Sequence, residues 1–470
     1  MSDISSPSSP DLDTPKQATK NYALYVFWVM FLINFLNYMD RYILNGAAPV
    51  VANDLGFGND GIGYLASAFL IVYTLATVPL GIWADRAKRR NIVALCVGVW
   101  SVATAFTALA TNFATLFLSR MLLGIGEAGY FPAGTALMSD YFSRARRSRV
   151  MSWWSVGQLV GILIGFAIGG FLTASNWRLG FVFTGIPGLL LALLAWRLRE
   201  PRRNQADEEE HRQYPYGSPE EQAVEEATHE VHVTSNVFSQ FGALLRIKTL
   251  VVLIVMQIFA FFVLTVNLVY LPTYLQQRDT FHLSSKMAGL FSGVVIVLAG
   301  LVGTVLGGYM ADMLNRRHPG SRVLVCGIGF LLGVPTFVLA VTTRNLTVFA
   351  IFFVLTALLL TIYTGPSTAA TQDVVPSSLR ASAVAVSLLI AHLLGDAFAP
   401  SLVGALATGF DPAPVLHFRE FLTGQYLSQA LLITCTPALL IAGLVGIFGA
   451  RWMKADVEAA QRVDGLVNVG

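Results

Sequence analysis

Gly81-Ile-Trp-Ala-Asp85-Arg86-Ala-Lys88-Arg89-Arg90 recurs 227 residues further on as Gly308-Tyr-Met-Ala-Asp312-Met-Leu-Asn315-Arg316-Arg317. Each copy follows an apolar run and sets an acid and a basic pair at its end. A second echo accompanies it: Asp140 precedes Arg147 by seven residues, and Asp373 precedes Arg380 by seven. A chain that repeats its charged turns in this way is built from two related halves. In an apolar chain, such duplication is the sequence mark of a transporter.

Composition supports a membrane reading. Hydrophobic residues make up 55% of the chain and charged residues 13%, against about 25% charged in a soluble domain. Mean hydropathy is +0.62. An ordinary soluble enzyme is excluded, because so much apolar surface must face lipid. The net charge of +3 carries no nucleic-acid signal. Cys96, Cys326 and Cys435 lie unpaired in apolar runs and imply neither disulfides nor a metal site.

A spanning helix needs about 20 mainly apolar residues. Twelve stretches qualify: 23–51, 61–83, 91–110, 113–138, 149–174 and 179–197, then 248–277, 286–311, 322–342, 346–372, 380–409 and 425–451. They divide the chain into a disordered tail (1–21), a six-helix half (22–199), a polar acidic linker (200–245), a second six-helix half (246–452) and a short tail (453–470). Within the linker, Pro219 to His229 has the pattern of one short capped helix. The first twenty residues, with no basic start and no short apolar core, do not read as a signal peptide.

Lys and Arg fix the orientation. Arg86, Lys88, Arg89 and Arg90 follow span 2; Arg144, Arg146, Arg147 and Arg149 follow span 4; Arg316, Arg317 and Arg322 follow span 8. The opposite loops at 45–61 and 111–113 have no Lys or Arg. Both termini and the linker are therefore expected in the cytoplasm. An acid at a helix end can hold a basic neighbour in one state and release it in another. The expected cytoplasmic gate comprises Gly81, Asp85, Arg86, Arg89, Arg90, Asp140, Arg147, Gly308, Asp312, Asp373 and Arg380, with Arg144, Arg147 and Arg380 as candidate partners of the two turn acids.

Twelve spans, two halves and a long central loop resemble the major facilitator architecture, and the paired Gly-x-x-x-Asp turns resemble its signature between spans 2 and 3 and between spans 8 and 9. Lys88 and Asn315 stand where that signature has a glycine.

Charges within the membrane are costly and need a partner, a wet cavity or a task. Asp40 and Arg41 lie deep in span 1, Arg120 and Glu127 in span 4. Neighbours on a helix point about 100° apart, so Asp40 and Arg41 each need a partner on another helix. Arg120 and Glu127 share a face, with Gly124 between them allowing close helix approach. Arg120, Gly124, Gly126 and Ala128 resemble the Arg-x-x-x-Gly-x-Gly-x-Ala motif of proton-coupled facilitators. Asp40 and Glu127 are the expected proton-linked pair, with Arg41 and Arg120 as alternating counter-charges. Gly157, Gly161, Gly165 and Gly169 give span 5 a smooth packing face.

The second half has fewer buried charges: His392 and Asp396, four apart in span 11, with Asn267 in span 7 and Tyr363 in span 10. One half offers charge and the other mostly apolar walls. Such a cavity suits an amphipathic ligand.

Leu36-Asn37-Tyr38-Met39-Asp40-Arg41, Gly126-Glu127-Ala128-Gly129-Tyr130, Asn176-Trp177-Arg178, and Gly365-Pro366 with Gln372-Asp373 running into Leu379-Arg380-Ala381 resemble the Spinster family, most closely its bacterial members. The resemblance implies proton-linked, alternating-access transport of lysophospholipids or sphingoid phosphates in a bacterial inner membrane. It implies head-group contacts at Asn37, Tyr38, Arg41, Arg120 and Tyr130, opposed by Asn267, Tyr363, His392 and Asp396. The expected partners are the substrate, protons and membrane lipids, with no cofactor, no metal and a monomeric state. An alternative is transport of small organic anions such as sugar acids, since the span 1 and span 4 strings resemble those facilitators too. A non-transporting receptor or scaffold is a third reading, which the paired gate motifs oppose.

Overall fold

The computed structural model describes residues 20–172, 176–202, 205–207, 242, 244–315, 320–376 and 379–467. The expected linker helix near Pro219 lies outside them. In lipid a spanning backbone must satisfy its own polar groups, which a helix does. Among the described residues, eleven helices are long and apolar enough to cross a membrane. The first half holds α1 (Lys20–Leu55), α2 (Asn59–Arg86), α3 (Arg89–Ala108), α4 (Phe113–Ala128), α5 (Tyr130–Tyr141), α6 (Arg144–Leu172) and α7 (Trp177–Trp196). The second holds α8 (Lys248–Gln276), α9 (Ser285–Asn315), α10 (Ser321–Thr342), α11 (Leu346–Thr361), α12 (Thr364–Asp373), α13 (Arg380–Ala391), α14 (Ala399–Phe410), the short α15 (Pro414–Arg419) and α16 (Gly424–Gly449). Spans 4, 10 and 11 are α4–α5, α11–α12 and α13–α14; split span 4 is the twelfth crossing.

Three prolines explain these breaks. A proline lacks an N–H and its ring crowds the carbonyl four residues earlier. Pro132 acts on Ala128, the last residue of α4, and Pro366 on Ile362, just after α11. Pro400 acts on Asp396, and there the chain forms a π turn from His392 to Asp396 closed by Ala397 N–H to the His392 carbonyl at 3.0 Å. The first two breaks occupy matching places in the two halves.

Within the tail expected after residue 452 lies a helix, α17 (Met453–Val467). Met453 and Ala460 are buried, and the Asp456 carboxylate accepts the Thr249 N–H at 2.8 Å, capping α8. Alternating apolar and charged residues at helical spacing allow a surface helix there.

The halves meet at the end remote from the basic turns. The Tyr270 hydroxyl lies 3.0 Å from the Asn59 carbonyl and 2.7 Å from that of Pro400. Asn45 Nδ2 donates to the Leu268 carbonyl at 3.2 Å, and Ser401 N–H to Ser67 Oγ at 3.2 Å. Gly170 of α6 abuts Gly289 of α9, where any Cβ would meet backbone. At the opposite end, the described ion pairs each stay within one half or its linker: Arg89–Asp140, Arg147–Asp207, Arg322–Asp312 and Arg322–Asp373. Among the described residues, the hydrogen bonds between the halves lie at the end remote from the basic turns.

Candidate functional site

Between the halves lies a cavity of about 720 Å³. Tyr38, Arg41, Tyr42 and Asn45 line it from α1. Their spacing of three and four residues is one helical face. Phe69, Tyr73 and Thr77 contribute from α2, Arg120 from α4 and Gln158 from α6. The other wall is Phe261, Leu264, Thr265 and Leu268 of α8 with Leu388, Leu389, His392 and Asp396 of span 11.

The charged cluster of the first half assembles around Glu127. Arg41 donates from Nε at 3.0 Å and Nη2 at 2.6 Å, both to Oε2 of Glu127. Oε1 has no hydrogen-bond partner. The Arg41 guanidinium sits over the rings of Tyr38, Phe69 and Tyr73, at 5.2, 5.0 and 4.8 Å. Such stacking favours a guanidinium away from bulk water. Gly124 makes this possible: a Cβ there would stand 2.8 Å from the Phe69 carbonyl and 3.1 Å from Tyr73 N, so α2 could not come this close.

Asp40 turns away from Arg41, as the helical angle requires. Thr104 Oγ1 donates to it at 3.4 Å, Thr184 lies beside it, and its Oδ1 is buried without a partner. Arg120 is 3% exposed; its Nε lacks a hydrogen-bond partner and its guanidinium lies 5.7 Å from the Phe181 ring. Arg120 is within electrostatic reach of both Glu127 and Asp40. Two acids and two guanidiniums thus share one buried region, with polar atoms left over on three of the four.

Other expected contact residues lie elsewhere. Tyr130 is buried between Trp100 and Trp154 and donates to the Met30 carbonyl at 3.2 Å. Its neighbour Phe131 reaches the cavity instead. Asn267 donates to the Val263 carbonyl of its own helix at 2.7 Å, and Thr265 lines the cavity in its place. Tyr363 is buried against Phe330, and Asn37 is buried beside Glu127, off the cavity wall. A helix presents only about a third of its residues to one side, and in these cases the phase points the polar residue into the half.

The Major Facilitator Superfamily family model matches residues 30–400. The chain belongs to the Major Facilitator Superfamily. Facilitators are transporters, so this is not an enzyme. The chain is 29% identical to the Drosophila melanogaster "Protein spinster" over 384 residues, covering 81% of this chain but only 61% of the fly protein. It is 25% identical to the Homo sapiens "Protein spinster homolog 1", covering 94% and 83% of the two chains. Among solved structures it resembles a bacterial homolog of the human lysosomal transporter Spinster in an inward-facing, unoccupied conformation, with a TM-score of 0.79, 25% identity, and coverage of 93% and 99%.

The duplicated facilitator turns are wired as matched pairs. Arg89 pairs with Asp140 and Arg322 with Asp373. Arg322 also reaches Asp312 at 3.2 Å. The partner of Asp312 is therefore Arg322, and Arg380 instead donates to the Gln372 carbonyl at 3.2 Å. By sequence motif Arg316 and Arg317 match Arg89 and Arg90, but by contact Arg322 takes the place of Arg89. The helix after the second turn starts nine residues beyond Asp312, where α3 starts four beyond Asp85, so the arginine at the helix start and not the one in the motif makes the pair. Arg147 binds Asp207 and the Ser139 carbonyl, both at 2.8 Å. The N–H groups of Arg89 and Arg90 donate to Glu200, at 2.8 and 3.0 Å, which caps α3 from the linker. Arg86 is exposed. The side chains of Asp85, Arg144, Arg316 and Arg317 lie outside the described residues. A Cβ on Gly81 or Gly308 would meet nothing within 4 Å.

Proposed function

We propose that this facilitator moves an amphipathic lipid-like substrate, a lysophospholipid or sphingoid phosphate, and that protons drive it. The observation that carries the reading is the cavity wall: two guanidiniums on one side and a largely aliphatic and aromatic surface on the other. A phosphate takes two hydrogen bonds from a guanidinium, and an acyl chain takes the apolar wall. The Arg41–Glu127 contact supplies the coupling. With Glu127 ionised, Arg41 is held by it. A proton on Glu127 weakens that bond and frees Arg41 to join Arg120 on the phosphate. Asp40, with its unpartnered oxygen and its electrostatic reach to Arg120, is the second proton site.

By the positive-inside rule the end that carries the basic turns faces the cytoplasm of a bacterial cell. Closure brings the surfaces carrying Gly81 and Gly308 together and breaks the seam at Tyr270, Asn45 and Gly289. A monomer suffices for this cycle.

Uptake of a lysophospholipid into proteoliposomes, with and without an imposed pH gradient, tests the reading. Gradient-dependent uptake that is lost in Asp40→Asn and Glu127→Gln is expected. Normal gradient-driven uptake in both variants ends the coupling mechanism. No lysophospholipid uptake together with uptake of a sugar acid replaces the substrate class.

A further inference from the structure

Outside the cavity, Asp411 is a buried acid that the transport reading leaves without a task. It follows α14 at the end remote from the basic turns, and 1% of its side chain is exposed. Its Oδ1 accepts the Ala413 N–H at 2.9 Å and lies 2.6 Å from His417 Nδ1. Its Oδ2 is buried without a hydrogen-bond partner. A lone carboxylate is costly to bury, so this one calls for a cation. His417 is the cation within reach, and a histidine changes charge between about pH 5 and 8. Its imidazole is 26% exposed and stacks on Tyr426 of α16, with ring centroids 6.2 Å apart.

The pair brackets α15. Asp411 holds the start of that helix through Ala413, and the Leu422 N–H returns to the His417 carbonyl at 2.8 Å just beyond its end. The next residue, Phe418, is buried and carries the helix onto the first half. A Cβ on Gly58 would lie 4.0 Å from Phe418 Cδ2, and one on Gly56 would lie 3.7 Å from Arg419 Nη2. Phe57 packs against the same buried cluster as Phe418. So α15 is a strap from the second half laid over the turn between α1 and α2, next to the Asn59 carbonyl that Tyr270 meets. Phe421, just past the strap, has φ 60, and the Arg278 N–H donates to its carbonyl at 2.6 Å. Bulky residues avoid that conformation, so contacts rather than local preference set the path of the strap.

Asp411 and Tyr426 are the groups that face the imidazole. The other charges nearby are turned elsewhere. Arg419 lies by Gly56 and the Asp60 carboxylate by Gly58. Asp279, between α8 and α9, accepts the N–H groups of Gly424 and Gln425. Arg278 and Glu420 are exposed.

We propose that His417 and Asp411 form a pH-sensitive latch that fastens the α15 strap across the two halves. With His417 protonated, a charged pair offsets the buried carboxylate and Phe418 stays on Gly58. With His417 neutral, one weaker hydrogen bond remains, and the seam between the halves parts more readily. The seated strap favours the imidazolium, so its stabilisation is present at low pH and is lost as the pH rises. The latch goes beyond the substrate reading and holds for any ligand the cavity takes. A pair that only braces its own loop predicts no such pH dependence.

The test measures the separation of the halves by spin labels on the purified full-length chain. The labels sit at Thr111→Cys, exposed between α3 and α4, and at Thr342→Cys, exposed at the end of α10. Cys96, Cys326 and Cys435 are buried, so the added thiols take the label. From about pH 5.5 to about pH 8 the population at long distance should rise about fivefold, the difference between a charged and a neutral hydrogen bond. His417→Gln, neutral throughout, should keep the larger population at both pH values. His417→Lys, charged throughout, should keep the smaller. A constant wild-type population over this range overturns the latch. So does a wild-type response that survives in both variants, which passes the pH dependence to Asp40 and Glu127. Should His417→Gln not yield monodisperse protein, His417→Lys decides alone: loss of the response supports the latch and its survival overturns it.

Discussion

In the first half Arg89 reaches Asp140; in the second Arg322 reaches Asp373, across the same separation of 51 residues. Pro132 breaks span 4 and Pro366 breaks span 10 at matching places. Deep in the membrane the likeness ends. The first half holds two acids and two guanidiniums around Glu127, while the second holds His392 and Asp396 on a wound-out turn. The contrast is the one the proposed function calls for: loops that serve motions both halves share stay alike, and walls that meet different ends of one ligand are free to diverge.

The contrast breaks most visibly at Glu127. Glu127→Gln should lower gradient-driven uptake by about a hundredfold or more, since removing one member of a buried pair leaves the other charge stranded. Exchange of substrate across the membrane without a gradient should survive. Loss of both in equal measure would make the pair a structural brace. Arg120→Ala is expected to weaken binding of any phosphate-bearing amphiphile by about tenfold or more, measured by ligand titration. Unchanged affinity would leave Arg41 as the sole anion ligand.

The seam between the halves sharpens the comparison next. Gly289→Val puts a side chain against the Phe166 carbonyl and Gly170. It should disfavour the closed far end by about 1–3 kcal/mol, seen as longer distances between spin labels at Asn59 and Thr408. No change would place the seam's stability elsewhere.

The matched gate pairs should differ in weight. Asp140 is nearly shut off from solvent, with 5% of its side chain exposed, and Asp373 has 36% exposed. Asp140→Asn should therefore slow turnover more than Asp373→Asn, by about threefold to tenfold given the screening of exposed charge. Equal rates would show that exposure does not set the cost. The smallest effect belongs to Asp54→Asn. Asp54 pairs with Arg178 at 2.8 Å near the surface, so its loss should cost at most about 1 kcal/mol in thermal unfolding.

Much of this was legible beforehand. Twelve spans follow from apolar run length, and the duplication follows from two near-identical turns. Asp40, Arg41, Arg120 and Glu127 announce themselves because a charge in lipid demands an explanation. The face formed by Tyr38, Arg41, Tyr42 and Asn45 is also present as a three-and-four spacing, although only Tyr38 and Arg41 stand in a motif. Phe261 carried no signal, being one aromatic among many in an apolar helix.

By itself the sequence determined which segments cross the membrane, that the chain is doubled, and which charges had to be buried, because length, repetition and the cost of charge in lipid are properties of single segments. Only the tertiary structure decided that Arg41 rather than Arg120 holds Glu127, that Arg322 rather than Arg380 serves Asp312, and that Tyr130, Asn267 and Tyr363 face protein rather than the cavity. Those outcomes depend on the rotation of each helix about its axis and on which neighbour it meets, and packing between segments distant in the chain sets both.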